Sequence, residues 1–242
     1  MKKILFLATV VLMVSCGTSV STKLVNKNTQ KLPEGTRVYV LKEELIPSNS
    51  EYIGEVKIGD SGFTKDCGYN KVITDATNIA KNSGANIVKL IQVKKPSPLG
   101  STCYRIKAKL YRNNNEESLS KIANSIELLN KSRLPENSDY AIVYFYRPKS
   151  GMGAMLGYKI TDEKDSIIGR LRNGEKFAYK TKKFGEQSFF GQLETKKKVT
   201  LNIVKGQEYF IRASVESGVV FGRPVIDVIE NQNGIPEYAE TK

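Results

Sequence analysis

Three thiols, a complete lack of imidazole and scattered carboxylates bound the chemistry open to this chain. The cysteines stand at positions 16, 67 and 103, and none of the 242 residues is a histidine. That excludes Ser-His-Asp and Cys-His catalysis and the zinc sites built with imidazole. Paired carboxylates and a Ser-Lys pair remain open. Asp162, Glu163 and Asp165 cluster in one turn and offer oxygens to a cation such as Ca²⁺, but the EF-hand spacing with glycine at its sixth position is absent. Gly151-Met-Gly-Ala-Met-Leu-Gly157 has the glycine density of a phosphate cradle. A dinucleotide fingerprint needs a strand before it, a helix after it and an acid about 20 residues on. Here a strand follows, so the stretch reads as a mobile hairpin loop presenting Met152, Met155 and Leu156. Glu186 and Glu208 are the candidates for a carboxylate pair, which has to converge within about 5–10 Å to act on a glycan. These residues suggest no catalytic set, cofactor site or metal site.

Cys16 has the most specific surroundings. Lys2 and Lys3 precede an apolar run from Ile4 to Val14. The run is too short for a hydrocarbon core about 30 Å thick, which takes about 20 helical residues. A charged start followed by a short apolar run is the pattern of a secretory signal. The run ends in Met13-Val-Ser-Cys16-Gly17, which resembles the lipobox of bacterial lipoproteins, with Met13 where Leu is more usual. The resemblance implies cleavage before Cys16, diacylglycerol on its sulfur and a chain held at the bilayer outside the cytoplasm. At about 0.8 kcal/mol per buried CH₂, two or three acyl chains anchor it stably. Gly17 rather than Asp follows Cys16, which by the rule for enteric bacteria implies the outer membrane. The competing reading is a plain signal peptide cleaved nearby.

The chain carries 38 basic and 25 acidic residues, a net charge of +13; without Lys2 and Lys3 the 36 remaining cations leave +11. Such a charge favours anionic surfaces. Export makes lipid headgroups, lipopolysaccharide or wall polymers the expected contacts, and nucleic acid is not expected. Lys180, Lys182, Lys183 and Lys196 to Lys198 flank neighbouring hairpins as a basic rim. Solvation alone also accounts for exposed lysines.

After a signal peptide over 1–15 and a tether over 16–34, residues 35–112 read as β-β-α-β-β. Arg37 to Leu41 and Tyr52 to Ile58 have strand character, the latter by alternation. Val72, Ala76, Ile79, Ala80 and Ser83 form one helical face, with Asn70 as a candidate N-cap and Gly84 as the residue that ends the helix. Asn86 to Val93 is an apolar strand, and Tyr104, Ile106, Ala108 and Leu110 alternate with polar residues. Cys67 precedes the helix and Cys103 opens the last strand. In an oxidising compartment an even pair reads as a disulfide, with a redox-active pair or free thiols as alternatives. No Cys-x-x-Cys spacing is present to lower a thiol pKa.

Gly54-Glu-Val, Cys67, the helix, Gly84-Ala-Asn-Ile-Val and Cys103-Tyr-Arg resemble the stress-sensing outer-membrane lipoproteins of the Rcs phosphorelay. They also resemble the broader group of small heavy-metal-binding-like domains, although no ligand cluster is present here. The resemblance implies a β-β-α-β-β core with Cys67 and Cys103 bridged. The sensors' second cysteine pair falls near Val93 and Lys109, which carry no thiol.

Residues 113–138 form a connector whose Leu119, Ile122, Ala123, Ile126 and Leu129 have helical spacing. Residues 139–242 show strands near 140–146, 156–161, 166–171, 176–179, 187–193, 199–204, 208–215 and 224–229, separated by turns such as Asn173-Gly174 and Lys205-Gly206, with no helix. This spacing is that of an antiparallel sandwich or barrel. Ala141 to Pro148, Ile168 to Gly174 and Gly206 to Arg212 resemble an uncharacterised family of exported β-sandwich domains. The expected fold class is therefore an α+β domain followed by an all-β sandwich. The expected function is non-catalytic binding, scaffolding or stress sensing at the envelope. The alternatives are a hydrolase or transferase on wall glycans, and an accessory subunit of an envelope complex.

Overall fold

Alternation of apolar residues draws five strands into the first sheet: β1 (Ser19–Leu24), β2 (Tyr39–Leu41), β3 (Glu51–Gly59), β4 (Ile87–Lys94) and β5 (Arg105–Arg112). Their order across the sheet is β1-β3-β5-β4-β2, with β2 parallel to β4 and the other neighbours antiparallel. The computed structural model describes residues 18–25, 30–61, 67–96, 101, 103–216, 218 and 220–242; Cys16 and the expected signal peptide over 1–15 lie outside them. Three sheets and three helices among these residues give an α+β protein. No helix of the described residues is long and apolar enough to cross a membrane.

Val56, Ile58, Ile106, Ala108 and Leu110 point to one face of the first sheet, where Val72, Ala76 and Ala80 of α1 (Tyr69–Asn82) complete an apolar cluster. The cap of α1 is Gly68, not Asn70. Asn70 instead lies in the first turn, and its amide donates to the Val228 carbonyl at 2.7 Å. At the other end Gly84 takes φ 76°, Gly84 N donates to Lys81 O and Ala85 N to Ala80 O, the paired bonds of a Schellman stop.

Residues 19–24, expected within a tether, form an edge strand instead. Val20, Thr22 and Leu24 alternate with Ser19, Ser21 and Lys23, but a largely exposed edge strand needs little apolar content, so the pattern is faint. Gly54 makes room for it: a Cβ there would lie 2.3 Å from the Lys23 carbonyl oxygen. A glycine inside a strand marks such a close backbone approach.

The opposite face of the first sheet is partly covered by α2 (Glu116–Leu129), whose Asn115 cap accepts from Ser118 N at 2.8 Å. Leu119, Ile122 and Ile126 pack there on Tyr39, Leu41, Ile87 and Tyr111.

Eight further strands follow: β6 (Ala141–Tyr146), β7 (Tyr158–Thr161), β8 (Ile167–Leu171), β9 (Lys176–Thr181), β10 (Gly185–Gln192), β11 (Lys196–Ile203), β12 (Glu208–Glu216) and β13 (Arg223–Ile229). They form two four-stranded sheets, β11-β10-β7-β8 and β13-β12-β6-β9, which share one apolar cluster that includes Phe145, Tyr158, Ile160, Phe189 and Ile211. The β6–β12 pair is parallel.

The expectation of no helix after residue 139 is overturned by α3 (Asn231–Glu240). Gly234 and Pro236 within it look like breakers in sequence. Packing overrides them: Tyr144, Tyr146, Phe210, Ile229, Ile235 and Tyr238 form their own cluster, with the Tyr238 ring 4.8 Å from that of Tyr144. Gly234 is required there, because a Cβ would come within 2.3 Å of the Phe210 ring.

Candidate functional site

Cys67, just before α1, and Cys103, just before β5, are joined by a disulfide with their Cα atoms 5.0 Å apart. Both are buried, and Tyr104 N donates to the Cys67 carbonyl at 3.1 Å. The bridge fixes the start of α1 to the start of β5, and so holds Tyr69 and Tyr104 with their rings edge to face at 5.4 Å.

Those two rings, with Val93, face Ile229, Asn233 and Pro236 across a cleft of about 190 Å³. Glu237 and Lys95 close one end, and beyond them lies a second cleft of about 250 Å³ bordered by Lys149, Arg212, Glu240 and Lys242. Glu237 is the centre of this junction. Tyr146 donates its phenol to Glu237 Oε2 at 3.1 Å, and Tyr104 donates to Oε1 at 3.5 Å. Arg212 Nε lies 3.1 Å from Oε2, an ion-pair distance whose N–H is not aligned for a hydrogen bond. The Arg212 guanidinium sits 5.0 Å above the Tyr104 ring, and Lys95 Nζ is 3.6 Å from Oε1.

Burial pushes the Tyr69 phenol up to about 12 and raises Tyr104 and Tyr146 further, so all three remain protonated donors at neutral pH. Lys42, on the rim 5.7 Å from the Tyr69 ring, has its ammonium lowered by burial against the opposing pull of Glu230 and Glu237. Ligand pockets for drug-sized molecules run from about 300 Å³ upward. The apolar cleft is therefore sized for one partner side chain or a small fragment, with cations beside it for an attached anionic group. Glu237, bonded by two phenols and flanked by two cations, is a positioning carboxylate at the joint of the two clefts.

The other sequence candidates are dispersed. Glu208 is buried, and its two oxygens accept Arg133 Nε and Nη2 at 2.9 Å each, with Oε1 also accepting Arg133 N. Glu186 is exposed on β10, in the other sheet. Asp162 accepts from Lys164 N and Ser166 N at 2.9 Å, and chiefly the Ser166 bond holds its carboxyl below the usual range. Glu163 accepts from Ser188 N and Asp165 pairs with Lys196, so the three carboxylates point to separate partners. Along the basic rim, Lys182 pairs with Asp139 and Lys180 lies 3.6 Å from the Tyr140 ring centroid.

The Gly151–Gly157 loop presents carbonyls inward, not amides. Buried Arg147 donates Nη2 to Gly153 O at 2.6 Å and Nη1 to Leu156 O. That anchors the loop and opposes its reading as a mobile hairpin loop. Next to it, Glu194 Oε1 accepts from Val220 N at 2.9 Å and from Phe221 N and Gly222 N. It shapes a tip on which Val220 and Phe221 are 73% and 71% exposed, near the fully exposed Met155.

Arg147, Glu194, Arg212 and Glu237 were not legible as sites. The partners of Glu194, Arg212 and Glu237 come from distant segments, and the motifs ending at Arg147-Pro148 and at Arg212 pointed to a fold, not to a site. No family model, curated protein or solved structure matches the chain.

Proposed function

We propose that this is a bacterial envelope lipoprotein, exported and held at the outer membrane by diacylated Cys16, which binds or scaffolds a partner without catalysing a reaction. In this reading 35–112 is a disulfide-bridged α+β domain, 113–138 a connector and 139–242 a β-sandwich domain. Their separate apolar clusters support the division. The observation that carries the proposal is the buried Cys67–Cys103 bridge in a chain whose start has the lipobox pattern, since such bridges persist in oxidising compartments. The junction around Glu237 is the binding place: it is concave, apolar on one wall and basic on the other. The separation of Glu186 from the sealed Glu208 gives the glycan-hydrolase alternative no support. Stress sensing fits the same anchor and bridge.

Cell fractionation tests the proposal. The parent is expected in the membrane fraction, and Cys16→Ala in the soluble envelope fraction or retained as an uncleaved precursor. A Cys16→Ala chain that has lost Met1 to Ser15 and still sediments with the membranes like the parent contradicts it. A second reading, an accessory subunit of an envelope complex, is favoured by the Val220–Phe221 tip. It predicts that Phe221→Ser removes a partner crosslinked in intact envelopes.

A further inference from the structure

The face of the first sheet turned away from α1 carries an unusual charge array. Cross-strand register sets Lys57 opposite Lys107 and Lys94 opposite Arg105, while Lys109 faces Glu55 on one side and Lys89 on the other. Lys23 faces Glu55 from β1. Like charges directly opposite in a sheet are destabilising. Lys89 is used internally, its ammonium donating to the carbonyls of Lys42 and Glu44 at 2.6 and 2.8 Å. Lys23, Lys57, Lys94 and Lys107 are exposed, and among the described residues none of them is in an ion pair. Arg105 lies half-buried along the same face, its Nε buried without a hydrogen-bond partner. Glu55 is the one acid among these facing positions; Asp60 sits past the strand end, bonded to Ser101.

The first sheet begins two residues after Gly17, so its β1 edge is the part of the described fold next to Cys16 in sequence. Thr18 donates to Asp75 of α1 at 2.9 Å, and β1 begins at Ser19. Two residues span at most about 7 Å. A lipid on Cys16 therefore brings the β1 edge, which borders both faces of the sheet, close to the headgroups, and the charge array decides which face meets them. α2 covers β2, β4 and the Tyr111 end of β5, and among the described residues no helix packs on this face over β1, β3 and the Arg105–Lys109 part of β5. The cleft lies on the other side of the sheet, since Tyr69 and Tyr104 belong to the cluster under α1 and Val93 pairs with Ile106 of that cluster.

We infer that the β1–β3–β5 lysine face rests on anionic lipid headgroups of the bilayer that holds Cys16, and turns the Glu237 junction away from the membrane. The inference rests on the proposed anchor and deepens it. Anionic headgroups supply the countercharge missing from the fold, and each Lys or Arg close to an anionic surface gains enough to shift partitioning roughly fivefold.

The test reads amine-labelling rates of individual lysines by mass spectrometry. The purified full chain is placed on vesicles of phosphatidylcholine alone, or of equal parts phosphatidylcholine and phosphatidylglycerol. Lys57, Lys94 and Lys107 are expected to react roughly fivefold more slowly on the anionic vesicles, with the rates restored at high salt. Lys197 and Lys198 keep their rates. In Lys57→Gln/Lys107→Gln the protection of Lys94 is lost, while the urea midpoint stays at or above that of the parent because the repulsion is relieved. Equal rates on the two vesicles, slowing of Lys197 and Lys198 instead, or unchanged protection of Lys94 in the variant overturns the inference. The intact mass of the same sample reports the acyl chains. An acylated chain with unprotected lysines refutes this inference alone, and an unacylated chain with slowed lysines refutes the anchor alone.

Discussion

Glu237→Gln isolates the junction. The substitution keeps the side-chain volume and an acceptor for one phenol, but removes the anion 3.1 Å from Arg212 Nε, and both side chains of that pair are 14% exposed. Breaking a buried pair from one side costs about 3–5 kcal/mol, and a hydrogen bond to a charged group contributes about 1.5–3 kcal/mol. Because water reaches the rim of the clefts and Gln retains part of the bonding, a loss of about 3 kcal/mol is expected. Urea unfolding with the disulfide intact, followed by tyrosine fluorescence because the chain has no tryptophan, measures it. Arg212→Met removes the stranded cation, so the double variant is expected to lose at least about 1 kcal/mol less than the sum of the singles. Glu240→Gln is the control: its pair with Lys95 is 3.8 Å long and 73% exposed on the acid side, and its loss stays within about 0.5 kcal/mol. A Glu237→Gln loss below about 1 kcal/mol, or strict additivity with Arg212→Met, refutes the view of Glu237 as the joint.

Three further outcomes follow from named contacts. Cys67→Ser/Cys103→Ser opens a bridge spanning 36 residues and is expected to lose about 4 kcal/mol on the chain-entropy account, read as a lower urea midpoint; an unchanged midpoint contradicts a structural role for the bridge. Burial raises the phenols of Tyr69, Tyr104, Tyr146 and Tyr158, so their stabilisation is whole below the ordinary value of 10.0 and is lost as pH climbs through the folded values, about 12 for Tyr69. Lys42, lowered from 10.5, acts in the opposite direction. Tyrosinate absorbance should therefore rise in two stages, the second together with loss of the sheet circular-dichroism signal, and a single stage contradicts this burial. Gly234→Ala drives a methyl into the Phe210 ring and is expected to destabilise by about 1–3 kcal/mol, seen as a lower melting temperature.

Strand positions were legible because their periodicity is local. Tyr104, Ile106, Ala108 and Leu110 alternate in sequence and lie buried together under α1. β1 escaped because an edge strand with one neighbour buries almost nothing, so Ser19 to Leu24 carries only weak alternation. Its one clear signal lies elsewhere in the chain, at Gly54. α3 escaped because its helical state is set by Phe210 and Tyr144, and its own Gly234 and Pro236 argue against a helix. Asn70 reads as a cap because Asn commonly caps helices, but the helix already begins at Tyr69 after Gly68, and Asn70 sits inside its first turn with its amide donating to the Val228 carbonyl. The junction could not be read at all. Glu237 meets Lys95, Tyr104, Tyr146 and Arg212, partners that only the folded arrangement brings together.

Lipid attachment at position 16 is the claim on which compartment, bridge and membrane orientation depend. Cells grown with labelled palmitate, followed by isolation of the chain and mass analysis of its first peptide, measure it directly. The account predicts a peptide that starts at Cys16 and carries label and diacylglycerol mass. An unlabelled chain that retains Met1 to Ser15, or one cut elsewhere with a free Cys16 thiol, contradicts it.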